Sequence, residues 1–292
     1  MKKKCFLNRL LTSINWGWGK SLIYLAVMAL ATTTCTSEDA SEVMNHETTD
    51  MRLVFMPYDV EPMTRAAVAD YATRLDVWIY EGDTEVQAVH QQSTDDDFAS
   101  LSVTLEKSKT YTVYAVAHKA AGVATLTNGV VAWPDDKVTH SFWYTATFSP
   151  ATTTTLNCLM ERIVGNFRLI ITDEVPDGVT RMTVSMGLSL TRWDIAGYGV
   201  NPQERVSTFT PAAGSTPTLS AFVIADGDDP VIYSITVTAY DGENAVIQQR
   251  TFSDVPIRAG YRTTYTGGFF TDAAVTMSFT VNDWIDYDTF VF

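Results

Sequence analysis

The sequence predicts an all-β protein built from two tandem antiparallel β-sandwich domains, and three observations support this prediction. Segments that alternate apolar and polar residues, and that are rich in β-branched and aromatic side chains, recur along the chain. Turn sequences such as EGD at 81–83, TDDD at 94–97 and PDG at 176–178 separate these segments. Helical periodicity is nearly absent outside the N-terminal segment. Many short strands with frequent turns favour a sandwich over a βαβ sheet.

The composition fits two globular domains. The chain has 292 residues, of which 46% are hydrophobic and 18% are charged, so it exceeds one average domain and has enough apolar material for packed cores. The formal net charge is −14, and the first 34 residues hold five basic side chains and no acidic one, so the remainder carries −19. Nucleic-acid binding needs clustered basic residues, and we therefore do not predict it.

The N-terminal residues have the layout of a secretory signal. Basic residues come first, the apolar stretch SLIYLAVMALA follows at 21–31, and three threonines lead to a cysteine. Eleven apolar residues are too few to span a bilayer of about 30 Å as a helix, but they suit the apolar core of a signal peptide. We therefore expect residues 1–34 to be removed on export.

Cys35 is the predicted lipidation site. The sequence ATTTC at 31–35 resembles a bacterial lipobox, although a threonine stands before the cysteine where glycine, alanine or serine is usual. Acyl chains on Cys35 would anchor the protein in the outer membrane by burying methylenes, at about 0.8 kcal/mol each. The acidic pair Glu38 and Asp39 resembles the signal that sends Bacteroidetes lipoproteins to the cell surface, or else it belongs to a solvated tether. Residues 35–50 are expected to form that lipidated tether.

The strand-like segments fall into two groups. We assign residues 51–155 to an N-terminal domain and residues 156–292 to a C-terminal domain, with the seam inside FSPATTTTLNCLMERIVG at 148–165, whose final LMERIVG is interpreted as a strand. The predicted strands cover 51–60, 74–80, 100–105, 110–117, 165–172, 179–190, 219–225, 231–240, 244–251 and 275–281. Asp-Gly within AYDGENAV at 239–246 predicts a tight hairpin.

No arrangement of catalytic residues is evident. The four histidines show neither HxxxH nor HExxH spacing, and GxSxG, a glycine-rich phosphate loop and CxxC are all missing. The acidic turns at 95–97 and 226–230 lack the spacing of an EF-hand loop. We therefore predict no enzymatic activity, no metal site and no cofactor. His118 ends an alternating segment, and its ring is expected to be hydrogen-bonded in a structural role.

Two tryptophans are candidates for stacking on a ligand. Trp133 in VAWPDD and Trp193 in TRWDIAGYG lie in turn-rich surroundings and are predicted to be exposed, whereas Trp78 and Trp284 follow strand periodicity and are predicted core residues. Exposed indole rings suit sugar binding because they combine a large apolar face with a polar N–H group. An alternative function is therefore a monomeric surface lipoprotein that binds carbohydrate or acts as an adhesin.

Four segments, in this order along the chain, carry a family resemblance. They are MTRAA at 63–67, YTVYAVAHKAAG at 111–122, DVPIRAGYRTTYTGGFF at 254–270 and VNDWIDY at 281–287. Together they resemble the Bacteroidales fimbrillins, the subunits of type V pili and their anchor and accessory relatives. The most specific motif is R-x-x-Y-R-T-T-Y-T-G at 258–267. The resemblance covers residues 35–292 and implies a lipoprotein precursor of two β-sandwich domains with transthyretin-like topology.

The resemblance also implies a mode of assembly. In fimbrillin stalk subunits, an extracellular trypsin-like protease cuts after an arginine and releases the N-terminal strand, and the vacated groove accepts a strand from the next subunit. Here MRLVFMPYDV at 51–60 would be the removable strand and Arg65-Ala66 the scissile bond. An anchor-type subunit would keep this strand uncut. Cleavage would separate residues 66–292 from the lipid on Cys35, so anchoring and polymerisation would exclude each other.

The C-terminal segment is a candidate donor or closing strand. Its apolar residues alternate approximately and are Ile285, Tyr287, Phe290 and Phe292. They would fill the groove of a neighbouring subunit, or else close their own domain in a cap or anchor subunit. The predicted function is therefore a structural subunit of a cell-surface fimbria that supports adhesion. Its expected partners are other fimbrial subunits, the outer membrane, the protease, and a host surface protein or glycan.

Overall fold

The computed structural model describes residues 47–58, 65–227, 229–271 and 278–283, with residues 65–67 and 278–283 described by their backbone alone. This part of the chain is almost entirely β-structure, which confirms the predicted fold class. The signal segment, Cys35, Trp284 and the four C-terminal apolar residues lie outside the described residues. The last residues of the predicted tether already belong to the first strand, which begins at Thr48.

The described residues up to Arg162 form nine strands and one α-helix. These elements are β1 (Thr48–Pro57), α1 (Arg65–Tyr71), β2 (Arg74–Glu81), β3 (Thr84–Gln92), β4 (Ser100–Glu106), β5 (Tyr111–His118), β6 (Thr125–Thr127), β7 (Val130–Ala132), a 3₁₀ helix (Pro134–Asp136), β8 (Ser141–Phe148) and β9 (Thr155–Arg162). Seven strands pair in the order β3-β2-β5-β8-β9-β1-β4. They surround the first core, which includes Leu53, Phe55, Leu75, Val113 and Met160.

The remaining described residues form eight strands. They are β10 (Val164–Ile171), β11 (Arg181–Asp194), β12 (Tyr198–Phe209), β13 (Thr218–Ile224), β14 (Val231–Tyr240), β15 (Val246–Ile257), β16 (Tyr261–Gly267) and β17 (Ser278–Asp283). One sheet has the order β13-β10-β16-β17 and the other the order β15-β14-β11-β7-β6, with β12 paired to β11. The second core between them includes Phe167, Leu169, Met182, Ile235 and Phe269.

The two halves repeat one pattern of strand pairing. β1 pairs antiparallel with β4 and parallel with β9, and β10 pairs antiparallel with β13 and parallel with β16. Likewise, the order β3-β2-β5-β8 in the first half matches β12-β11-β14-β15 in the second. The sheets are therefore antiparallel except for these two parallel pairs, and β17 has no counterpart among the described strands of the first half. A transthyretin-like topology stays a prediction.

The segment at the seam forms strands, as predicted, but its first strand belongs to the first half. LMERIVG covers the end of β9 and the start of β10. β9 pairs with β1 and β8, and its Cys158 and Met160 are buried in the first core. The predicted boundary after residue 155 is therefore wrong for β9, and the change between halves falls at Ile163.

A third cluster of buried residues joins the two halves. β7 pairs with the end of β11, and the cluster around this junction includes Trp78, Trp133, Trp143 and Trp193. Trp133 is 2% and Trp193 is 5% exposed, so the prediction that they form an exposed stacking surface is wrong. Their turn-rich segments pack against each other, which the local sequence does not reveal. Trp78 is buried, as predicted.

His140 makes the stability of the fold depend on pH. Its ring is buried and stacks on Phe222, with 5.7 Å between the ring centroids. Burial, together with the positive charges of Arg162, Lys119 and Arg262, lowers the pKa of His140 from 6.5 to about 2. Between these two values the unfolded chain binds a proton that the folded chain does not bind. Stability attributable to His140 is therefore full above pH 6.5 and is lost as the pH falls towards 2.

We expect His140→Phe to flatten this pH dependence, because phenylalanine keeps the ring but cannot be protonated. Below pH 6.5 the free energy of unfolding of the native protein should fall faster than that of the variant, by about 1.4 kcal/mol per pH unit. Urea unfolding at pH 6 and pH 4.5 measures the difference. Parallel pH dependence in the two proteins would contradict the assignment to His140.

Candidate functional site

The candidate functional site is the groove that β1 fills between β4 and β9. On one side β1 pairs antiparallel with β4, from Thr48 opposite Glu106 to Val54 opposite Ser100. On the other side it runs parallel to β9, and Pro57 lies opposite Met160. Although it is the first described strand, β1 is therefore an interior strand of the sheet with neighbours on both sides.

The side chains of β1 alternate between the core and the surface. Met51, Leu53 and Phe55 are only 1%, 0% and 0% exposed, whereas Arg52 between them is exposed. Full burial of such an apolar side chain stabilises a fold by about 1.5 to 3 kcal/mol, so the three together contribute about 5 to 9 kcal/mol. Cutting the chain beyond β1 would therefore not by itself release the strand.

Cys158 forms part of the floor of this groove. It lies on β9 opposite Phe55, whose ring meets that of Tyr144 edge to face at a centroid distance of 6.5 Å. Cys158 is fully buried and is not in a disulfide. Burial raises the pKa of its thiol to about 12, which outweighs the opposing effect of a hydrogen bond with Tyr144. The thiol is therefore neutral, and hence inert, while β1 stays in place.

The predicted cleavage site lies at the start of α1. Arg65 and Ala66 are the first two residues of this seven-residue helix, and their side chains are outside the description. Further along the helix, Val68 and Ala72, the residue just after it, are buried in the first core. The first N–H groups of a helix have no intrahelical acceptor, so the first turn opens more easily than the part packed on the core. Whether a protease cuts there stays a prediction.

The fimbrillin-like motif at 258–267 forms the approach to β16 and the strand itself. The guanidinium of Arg258 lies over the ring of Tyr261, 4.5 Å from its centroid. β16 lies between β10 and β17, so the motif occupies an interior strand of its sheet. β17 pairs with β16 from Thr266 opposite Ser278 to Tyr261 opposite Asp283. The predicted donor residues come after β17 and are outside the described part of the chain.

Asp173 holds the segment that leaves β16. Its carboxylate accepts hydrogen bonds from the backbone N–H groups of Phe269 and Phe270 at 2.7 Å each, and from that of Thr271 at 2.9 Å. Phe269 is fully buried in the second core. The chain is therefore fixed up to Thr271, and six residues separate Thr271 from the start of β17.

His118 belongs to a buried polar network rather than to a catalytic site. Its Nδ1 accepts a hydrogen bond from the Ala120 N–H group, so the proton is on Nε2, which donates to Asp76 at 2.8 Å. Asp76 also accepts from the Ala124 N–H group at 2.8 Å and is hydrogen-bonded to His90. Both ring nitrogens of His118, at the end of β5, are therefore hydrogen-bonded, as predicted. In the described part of the chain, no group of three His, Cys, Asp or Glu side chains is placed to hold a metal ion.

Among the residues that the structure describes, no helix combines the length and hydropathy required to cross a bilayer.

Comparison with known proteins shows similarity in structure rather than in sequence. No protein-family model and no curated protein sequence matches the chain. A candidate cell adhesion protein from Bacteroides uniformis has a TM-score of 0.50 and 12% identity, with 82% of this chain and 99% of that chain covered. At this identity the likeness shows a shared fold.

Two fimbrial proteins are also among the similar structures. A fimbrial assembly protein from Parabacteroides distasonis has a TM-score of 0.44 and 13% identity, over 81% of this chain and 99% of that one. The fimbrial anchor protein Mfa2 from Porphyromonas gingivalis has a TM-score of 0.45 and 11% identity, over 82% and 98%.

Proposed function

We propose that this chain is a non-catalytic structural subunit of a cell-surface fimbria, that it assembles by strand exchange, and that it supports adhesion. The observation that carries the proposal is the position of β1, which is the first described strand yet lies in the interior of its sheet. The structures of similar fold described as adhesion and fimbrial proteins support the same role.

The position of β1 makes exchange physically reasonable. A single connection, residues 58–64, joins β1 to the rest of the described fold through α1. Once this connection is cut, only non-covalent contacts hold the strand. Its loss would leave unpaired N–H and C=O groups on β4 and β9 and would open the pockets of Met51, Leu53 and Phe55. A strand from another subunit would satisfy both the backbone and the pockets.

β17 and its continuation are the proposed donor. Because β17 has no counterpart among the described strands of the first half, the second half would keep its seven matching strands if β17 left. Its departure would unpair only the edge of β16, whereas loss of any of β10 to β16 would break the repeated pattern. Ile285, Tyr287, Phe290 and Phe292 would then supply the apolar side chains for the groove of a neighbouring subunit.

In this proposal the subunit reaches the outer membrane through acyl chains on Cys35. A trypsin-like protease then cuts between Arg65 and Ala66, which separates the lipid from the assembling part. The cut would need only the first turn of α1 to open. The partners are other fimbrial subunits, and a host surface protein or glycan at the adhesive surface.

Limited trypsin treatment of the purified full chain tests the proposal. We expect one early cut after Arg65, measured by intact mass, followed by conversion to a ladder of oligomers in size-exclusion chromatography. Arg65→Ala should stay monomeric under the same conditions. Arg181→Ala removes a half-buried arginine of the second half that bonds to Asn244 and lies over the ring of Tyr240, and it should polymerise like the native protein.

Either of two results would contradict the proposal. In the first, the native protein resists cutting at Arg65. In the second, it is cut there but stays monomeric at high concentration after prolonged incubation. The second result would favour an anchor or tip subunit, in which β1 closes the fold permanently.

A further inference from the structure

A second groove, far from β1 in the sequence, has the features of a ligand site. It lies between β12, the outer face of β13 and the loop that follows the 3₁₀ helix, and its volume is about 530 Å³. Ligand sites usually have volumes of about 300 to 1,000 Å³. The lining includes residues 135–139, residues 203–209 and residues 220–222. Segments some 80 residues apart in the sequence therefore meet here.

Arg205 brings an uncompensated positive charge into this groove. Its Nη2 donates to the backbone oxygen of Val138, whereas its Nε is buried without a hydrogen-bond acceptor. Burial lowers the pKa of Arg205 to about 10, and no carboxylate opposes this effect. A buried charge without a partner is costly, so an anion that reaches the guanidinium would gain more free energy than at an exposed arginine.

The acidic residues near the groove do not neutralise Arg205. Asp136 is already engaged by Arg192, which donates to both carboxylate oxygens at 2.9 and 3.1 Å. Asp135 is 80% exposed and lies 3.6 Å from Lys137. Glu204 also lines the groove, but its side chain is exposed and has no effect on the pKa of Arg205. No acidic side chain in the described part of the chain therefore pairs with Arg205, so a bound anion could take that position.

The rest of the lining favours a sugar over a peptide. Hydroxyl groups of Thr139, Ser207 and Ser220 line the groove, and Phe222 adds apolar surface. Thr139 and Ser220 each accept one hydrogen bond, at 3.0 and 2.8 Å, and can donate their own protons to a ligand. A peptide strand would instead require a row of apolar pockets at alternate positions.

We propose that this groove binds a carboxylated sugar, a uronic or sialic acid, whose carboxylate pairs with the guanidinium of Arg205. The lining hydroxyls would bond to the sugar hydroxyls, and Phe222 would contact the ring. This binding would give the subunit a ligand of defined chemistry, and it does not depend on strand exchange.

Calorimetric titration of the full chain in detergent tests the proposal. Glucuronic acid and N-acetylneuraminic acid are the probes, and glucuronamide, which replaces the carboxylate with an amide, is the neutral counterpart. We expect at least one of the acids to bind and the amide to bind about 10- to 100-fold more weakly, because hydrogen bonds to charged groups are worth about 1.5 to 3 kcal/mol. Arg205→Gln should lose a similar factor, whereas Arg181→Gln should bind the acid normally.

Stability measurements separate binding from a purely structural role. Because Arg205→Gln removes an unpaired buried charge, its melting temperature without ligand should equal or exceed that of the native protein. Ser207→Trp keeps Arg205 but fills the groove, and it should also abolish binding.

Several results would overturn the proposal: no binding of either acid, equal binding of the acid and the amide, unchanged binding by Arg205→Gln, or binding of an extended peptide in place of the sugars. The oligomer ladder of the Arg205→Gln variant should be normal.

Discussion

Cys158 should change from inert to reactive when β1 leaves its groove. In a Cys5→Ser, Cys35→Ser background Cys158 is the only thiol in the chain. We expect the intact protein to react with a maleimide very slowly. After cleavage at Arg65 and dissociation of β1 at low protein concentration, labelling should be about a thousandfold faster. In assembled oligomers it should be slow again, because a donor strand covers the thiol.

The expected size of this change follows from the burial of the thiol. Cys158 is fully buried opposite Phe55, so a reagent reaches it in the intact protein only when the first core opens. Openings of core strands approach the global free energy of unfolding, at least about 5 kcal/mol, which corresponds to more than a thousandfold protection. In a vacant groove, the pKa of the thiol would also fall from about 12 towards its ordinary value. The fraction of Cys158 in the reactive thiolate form would then rise, which speeds labelling further.

Two variants control the Cys158 experiment. Cys158→Ser should remove the label in every state, and Arg65→Ala should keep the thiol protected after protease treatment. If Cys158 stayed protected in cleaved, diluted protein while that protein still formed oligomers, β1 would not be the strand that is exchanged. Assembly would then use another surface.

Local patterns predicted most strands because half-buried strands show a period of two. The segment 231–240 matches β14 residue for residue, and 74–80 differs from β2 by one residue. Six strands were not predicted: β3, β6, β7, β8, β12 and β16. β12 carries Pro202 and several charged or polar residues, which an edge strand tolerates because one side of its backbone has no partner in the sheet. The predicted Asp-Gly hairpin exists, but its loop spans 241–245 and is held by the Asp241 side chain.

Pairing between distant strands could not be predicted. The sequence MRLVFMPYDV correctly indicated a strand, yet nothing local indicated the parallel contact of β1 with β9. Trp133 and Trp193 show the same limit, because a turn-rich segment becomes buried when another segment packs on it. The Arg205 groove was missed for this reason too: β12, β13 and the loop at 135–139 come together only in the folded chain.

Asp76→Ala is expected to lower the free energy of unfolding by about 2 to 5 kcal/mol, because two buried N–H donors lose their acceptor at about 1 to 3 kcal/mol each. The carboxylate is fully buried on β2. Without it, the Nε2–H group of His118 and the N–H group of Ala124 would lie in the interior without an acceptor. Urea unfolding of the native and variant proteins measures this loss.

Asp76→Asn distinguishes the contribution of the hydrogen bonds to stability from that of the negative charge. The amide oxygen can take the position that His118 and Ala124 share, and the amide nitrogen can donate to Nδ1 of His90, whose other tautomer accepts. The asparagine variant should therefore recover most of the stability that alanine loses. His90→Ala should cost no more than about 1 kcal/mol, since the His90 side chain is 36% exposed. Equal losses for alanine and asparagine would instead mean that the negative charge itself stabilises the junction of β2, β3 and β5.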